Sequence, residues 1–318
     1  MVTWQTKSLV QRIFSSLPKG EYWNYLCQRY ITKGLPISYE KFVADVNLKV
    51  YEPLKVFMEQ DKNLSSKVYF EFGAGWDLLA PIGVSLAGMG DIRIVDIRPL
   101  VRPNLIQQTL SYYAKYLAGG GGGGDIAPLE CQAQIQDSLS KLSITIPSSF
   151  SSIQQCLKHT FNISYHIKDA AQTGFADNEV DCICSYSVLE HIPIDSIRRI
   201  FSECYRVLKP NGRIVFLIDY QDHYSYFDSN LSIYNFLRFS PKEWEKYNCS
   251  LHYQNRLRHS DFVGLIEESG LRILECRSCG VSMEQERELK TMPLADEFKK
   301  YDFDDLKIPV DIFILTKE

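Results

Sequence analysis

Residues 67–77 read KVYFEFGAGWD, and this stretch decides the fold. Val68 to Phe72 is a short run of apolar, aromatic and β-branched residues, the composition of a buried strand. Gly73 and Gly75 follow at once. Two glycines there permit a tight turn and let a ligand approach the backbone closely. Asp77 then reads as the N-cap of an apolar helix over DLLAPIGVSLAGMG. The first N–H groups of such a helix have no partner within it and are free for a ligand. Glu71, near the end of the strand, is placed to hold an ammonium group or to polarise the turn.

Moving outward, IRIVDI at 92–97 is a second strand that ends in Asp96. A carboxylate at that place can accept both hydroxyls of a ribose. ISYHIK at 163–168 is a third strand and runs into Asp169 and Ala170. VDCICSYSVL, a helix from about 195 to 208, GRIVFLIDY, the helix HSDFVGLIEESG, LRILECRSC and VDIFILTKE complete the series. Strands alternating with helices predict an α/β fold, a doubly wound, Rossmann-like and mostly parallel sheet with helices on both faces. Ligands bind such sheets beyond the carboxyl ends of the strands, near the point where strand order reverses.

Residues 1–65 read as an N-terminal helical cap, and 66–318 as the main domain. Leu9, Val10, Ile13, Phe14 and Leu17 recur at helical spacing until Pro18-Lys19-Gly20 stops them. Further helices are expected over 21–32 and 39–60. Residues 100–160 form a long insertion after the second strand, with a helix over 104–118 and the unbroken run Gly119 to Gly124. Six glycines have no side chains to pack, so the run reads as a mobile linker.

Composition narrows the partners. Of 318 residues, 35 are Lys or Arg and 39 Asp or Glu, a net charge of −4. That balance argues against a nucleic-acid or anionic-membrane partner, either of which calls for a basic face. No apolar run approaches the ~20 residues of a membrane span. Gln11 and Arg12 interrupt the apolar N-terminal stretch, which does not read as a secretory signal. Nine scattered cysteines, an odd number, fit free thiols in a reducing cytoplasm better than a disulfide framework.

EFGAG, VDI, KDA and SVLEHI, with Tyr205 to Arg213 (YRVLKPNGR), together resemble the class I S-adenosylmethionine-dependent methyltransferases. The resemblance covers about 67–318, less the insertion. It implies a seven-stranded sheet with the last strand antiparallel, and S-adenosyl-L-methionine as cofactor. By that resemblance Glu71, Gly73 and Gly75 line the methionine side, Asp96 binds the ribose, and Asp169 and Ala170 meet the adenine. Ser185 and Tyr186 sit near the sulfonium and the acceptor. Asp77 stands where many members have a third glycine.

The stretch from Asp219 to Phe262 is similar to a bacterial subgroup acting on sugars and natural products. The expected acceptor is therefore a small molecule or carbohydrate, methylated on a hydroxyl. That chemistry needs a nucleophile in line behind the methyl and a base for its proton. His223, with Asp219 beside it in sequence, and His191 are the candidates. Asp219, Asp222 and His223 are not read as a metal site, since oxygen-rich sites usually recruit more carboxylates. Arg256, Arg258 and His259 could bind an acid or phosphate on the acceptor, or form a solvated helix start. Two alternatives share the turn and the strand-two acid. A nicotinamide-dependent oxidoreductase calls for a fuller G-x-G-x-x-G, and the third glycine is missing. A catalytically silent cofactor-binding protein of the same fold would keep the pocket without turnover. The oligomeric state is not readable from the sequence.

Overall fold

The computed structural model describes residues 3–31, 34–59, 61–119 and 140–317. Gly119 is thus the last described residue of the glycine run, and the rest of that run lies outside them. Seven strands form one sheet: β1 Val68–Phe72, β2 Asp91–Asp96, β3 Ile163–Ile167, β4 Val180–Tyr186, β5 Leu208–Asp219, β6 Arg272–Ser278 and β7 Val310–Thr316. Their order is β3-β2-β1-β4-β5-β7-β6. The pairs among β1 to β5 are parallel, and β7 runs antiparallel between β5 and β6. Strand order reverses between β1 and β4, so the crevice of a doubly wound sheet opens there.

Side chains alternate across β1, as a two-residue repeat requires. Phe70 and Phe72 enter the core on one face, and Tyr69 points with Glu71 to the other. The Phe70 face is covered by the helix Ile194–Val207, whose Ile197, Ile200, Phe201, Cys204 and Val207 form one buried stripe at helical spacing. Phe201 stacks on Phe216 of β5 with ring centroids 5.4 Å apart. The Tyr69 face is covered by the chain from Tyr39 to Met58, helical throughout with a wider turn over Asn47–Tyr51. Phe42, Val46, Val50, Leu54 and Phe57 there are buried in the same core as β1 and β2.

The helix Trp4–Ser15 forms, but not with the expected buried face. Leu9 is 59% and Ile13 52% exposed, while Trp4, Ser8 and Gln11 are buried. Trp4 supplies the docking energy. It packs against Tyr224 and Tyr247 at 5.3 and 4.7 Å, in a third, aromatic core made with Tyr234, Phe236, Trp244 and Phe298. Ser8 and Arg12 then bond the carbonyls of Tyr247 and Lys246. That core is built from 220–247 and 281–306, segments without regular apolar spacing.

Arg256 and Arg258 belong to this scaffold and not to a ligand surface. Arg258 is 0% exposed and donates to the carbonyls of Tyr220, Leu306 and Ile308. Arg256 donates to Phe236, Phe239 and Glu297. His259 is held by Asp311 at 2.8 Å. These side chains meet carbonyls and carboxylates that loops distant in sequence leave buried.

Candidate active site

The carboxyl ends of β1 to β4 gather the expected cofactor residues. After Phe72 the chain turns through Gly73 and Gly75, both left-handed at φ 75° and 77°. A Cβ on Gly73 would lie 2.5 Å from Val188, so the β1 turn sits directly against the segment that follows β4. A Cβ on Gly75 would meet nothing within 4 Å, so open space adjoins the turn there. Asp77 accepts the N–H of Leu79, the first residue of the helix Leu79–Leu86. The cap residue is Leu78, not Asp77 as the sequence suggested, and Asp77 bonds the helix start from one position earlier.

Asp96 closes β2 beneath this turn. Its carboxylate accepts the Tyr165 hydroxyl at 2.6 Å. Burial pushes its pKa up to about 6, while the Tyr165 hydroxyl and the backbone N–H groups of Ala74 and Gly73 favour the charged form. The Lys168 N–H bonds the Asp96 carbonyl, which brings the end of β3 and the exposed Asp169 alongside. Asp169 takes the Ala171 N–H and shapes that loop. Glu71 is deeply buried and accepts the Tyr69 hydroxyl at 2.5 Å. Burial raises its pKa to about 8, against the pull of that hydrogen bond. Ser185 donates to the Phe72 carbonyl at 3.2 Å, and buried Tyr186 follows it at the end of β4.

The acid–base candidates meet beyond β4 and β5. Ser187 is left-handed and donates its N–H to Leu217, which turns the chain across Gly73. Asn255 then clamps the segment by donating to the carbonyls of Leu189 and Ile192, both at 2.8 Å. This sets Glu190 and His191 against Asp219 and His223. His223 Nε2 lies 3.3 Å from Asp219 Oδ2 and 3.9 Å from Glu190 Oε1, without a hydrogen-bond partner. The rings of His191 and His223 are 4.7 Å apart. Tyr226 donates to Asp219 at 2.5 Å and the Gln221 N–H at 3.0 Å.

Electrostatics separate the two carboxylates. Burial works to raise Asp219, but His223, then Tyr226 and Gln221, bring its pKa below the usual value. Burial, and next the Asp219 charge, push Glu190 well above it. His191 is exposed on one side, yet crowding by the protein and then His223 lower its pKa. Two carboxyl groups whose pKa values are pushed apart beside two imidazoles could serve acid–base chemistry.

His191, His223 and Asp219, the acid–base candidates of the sequence, come together in the fold, with three neighbours that the sequence did not single out. Glu190 was in view inside LEHI but was not read as an acid. Tyr226 follows His223 by three residues. Asn255 had no local signal, since its bonds span more than 60 residues. Asp222 is turned away, bonded to Asn235 and the Tyr224 N–H.

Residues 118–216 match the family model described as methyltransferase domain. No curated protein matches the chain. Among solved structures, a SAM-dependent methyltransferase from Methanosarcina mazei is 12% identical, with 85% of this chain and 98% of that one covered and a TM-score of 0.44. A TehB-like SAM-dependent methyltransferase from Corynebacterium glutamicum is 11% identical, covering 94% and 97% at a TM-score of 0.41. Geranyl diphosphate C-methyltransferase from Streptomyces coelicolor, in complex with magnesium, geranyl diphosphate and S-adenosyl-L-homocysteine, is 10% identical, covering 90% and 87% at 0.41. The matched segment runs from the end of the helix Pro103–Ala118 into β5 of the doubly wound sheet, so the methyltransferase-domain similarity falls on the sheet described above.

Proposed function

We propose that the chain is an S-adenosylmethionine-dependent methyltransferase, that it methylates a hydroxyl oxygen of a small molecule or a sugar, and that His223 takes the proton. The observation that carries this reading is His223 Nε2, unpartnered 3.3 Å from an ionised Asp219, on the loop beside the segment that packs on Gly73.

The residues present fit the cofactor. The open space at Gly75 leaves room beside the turn for its methionine end. Asp96 has about four lone-pair sites. Tyr165 engages one, which leaves room for both ribose hydroxyls. Asp169 and Ala170 would meet the adenine. Glu71 would act from below the turn, and Ser185 and Tyr186 would form the floor near the methyl. Bound there, S-adenosylmethionine supplies a methyl group already activated by a positive sulfur.

The chain's own task is then positioning and proton removal. His223 Nε2 accepts the acceptor hydroxyl's proton as the oxygen turns nucleophilic. Asp219 stabilises the resulting imidazolium, and Tyr226 with the Gln221 N–H hold Asp219 in place. His191 stays neutral and packs against the working ring. Residues 1–65 act as a cap on the domain formed by 66–318: Tyr25 packs on Trp76 at 5.2 Å, and Arg102 lies over both rings. No helix among the described residues is long and apolar enough to cross a membrane, and the described cysteines are all free thiols, in keeping with a reducing cytoplasm.

The test is methyl transfer from labelled S-adenosylmethionine to a panel of sugars, phenols and other hydroxylic small molecules. His223→Ala should lower turnover roughly 10²–10⁴-fold and leave S-adenosylhomocysteine affinity within about two-fold. Unreduced turnover in that variant would move the base elsewhere, with His191 next in line.

A further inference from the structure

We infer that Glu190, His191 and His223, beside Asp219, form a site for a divalent transition-metal ion of the zinc type, whose binding silences the base. The silencing rests on the role proposed for His223, and the metal site does not.

Glu190, His191 and His223 each present one ligand atom, and these atoms all lie within 4.8 Å of one another. Bonds of about 2.0–2.1 Å put neighbouring ligands of a tetrahedral ion about 3.3 Å apart. Asp219 and His223 already stand at 3.3 Å. Glu190 Oε1, at 3.9 Å from His223, needs to close by about half an ångström to reach that spacing. Glu190 carries the independent evidence. It is 3% exposed, and neither carboxylate oxygen makes a hydrogen bond, although the backbone N–H groups of Glu190 and Asp219 lie nearby. A buried carboxylate without a partner is unfavourable, and a cation at this point supplies one.

The surroundings suit metal ligands. His191 Nδ1 lies 2.6 Å from the Tyr253 carbonyl, so that nitrogen carries the hydrogen and Nε2 keeps its lone pair. Tyr226 fixes the Asp219 carboxylate in the same manner. Such outer contacts are what orient ligands. Two imidazoles with carboxylates favour zinc-type ions over magnesium or calcium, which prefer all-oxygen sites. Metal and proton compete for one lone pair on His223 Nε2, so a loaded site cannot accept the acceptor's proton.

The experiment uses the full chain, stripped with chelator. Zn²⁺ is titrated by calorimetry, and Co²⁺ by the visible absorption of a four-coordinate complex. The expected result is one high-affinity ion per chain, weakened at least 10-fold in Glu190→Gln and in His223→Asn. The melting temperature of each metal-free variant establishes that it folds. Cys276→Ser tests the other cluster, His259, Cys276 and Asp311. Affinity that survives Glu190→Gln and His223→Asn but falls in Cys276→Ser would overturn the site, as would absence of binding, and either result leaves methyl transfer untouched. Zn²⁺ should also inhibit turnover at the concentration that fills the site. Full turnover in the loaded enzyme would overturn the silencing and the assignment of His223 as base, while the binding data stand.

Discussion

Gly73 and Gly75 share a left-handed backbone, but alanine should act differently at the two positions. At either one, a non-glycine residue with that φ costs roughly 1–2 kcal/mol. At Gly75 nothing lies within 4 Å of the new methyl, so Gly75→Ala should cost only that strain in stability. At Gly73 the methyl would meet Val188 Cγ2 at 2.5 Å and Cγ1 at 2.7 Å. Overpacking of that kind adds about 1–3 kcal/mol. Gly73→Ala should therefore lose about 2–5 kcal/mol. Val188→Ala removes the two closest carbons, leaves its Cβ at 3.1 Å, and should recover most of the roughly 1–3 kcal/mol overpacking loss in the double variant. Urea denaturation of the wild type, the three single variants and the double variant, all without ligand, reads these differences directly. Calorimetry with S-adenosylhomocysteine adds the functional half, in which Gly75→Ala, the milder lesion for stability, should be the one that fills cofactor space and weakens binding. Equal destabilisation at both glycines, with no coupling to Val188, would refute the packing of the β1 turn against the segment after β4. Unchanged affinity in Gly75→Ala would refute the placement of the cofactor beside that turn.

Asp96 sets a pH dependence. Its folded pKa is raised, from 3.8 to about 6, so the stability it contributes is present at pH 4 and lost as pH rises through 6. Two units correspond to roughly 3 kcal/mol, so Asp96→Asn should flatten the stability profile between pH 4 and 7; an unaltered profile in urea denaturation would show that the carboxyl is not buried as described. Phe201→Ala empties a fully buried ring site against Phe216 and should cost about 3–5 kcal/mol, whereas a loss under 1 kcal/mol would contradict the packing of the helix Ile194–Val207 on the sheet. Asn255→Ala should lower turnover with little change in cofactor affinity, because its two bonds hold Glu190 and His191 in position; steady-state kinetics showing an intact rate would remove Asn255 from the site's support.

The sheet was legible because each strand announces itself locally. Buried parallel strands must be apolar on both faces, and β1, β2, β4 and β5 are. Gly73, Asp96 and Asp169 could be proposed from the sequence because strand ends are where such sheets bind ligands. The helix Trp4–Ser15 shows where local reading fails. Its aliphatic stripe is the more regular signal, but one tryptophan found a better-packed site among aromatic side chains more than 200 residues away. The arginines at 256 and 258 show the same limit. A guanidinium looks the same in sequence whether it meets an acceptor or three buried carbonyls. Glu190 was hidden differently: its neighbours Asp219 and His223 come from the next strand and loop, and only their approach makes it part of a site.

The proposed function puts an adenosine among Gly73, Asp96 and Asp169. The direct measurement is calorimetric titration of S-adenosylhomocysteine into the wild-type protein and Asp96→Ala. The account predicts one site per chain in the wild type and a loss of roughly 1–3 kcal/mol in the variant, the size of one charge-assisted hydrogen bond. Equal dissociation constants for the two proteins, or no binding to the wild type, would contradict it.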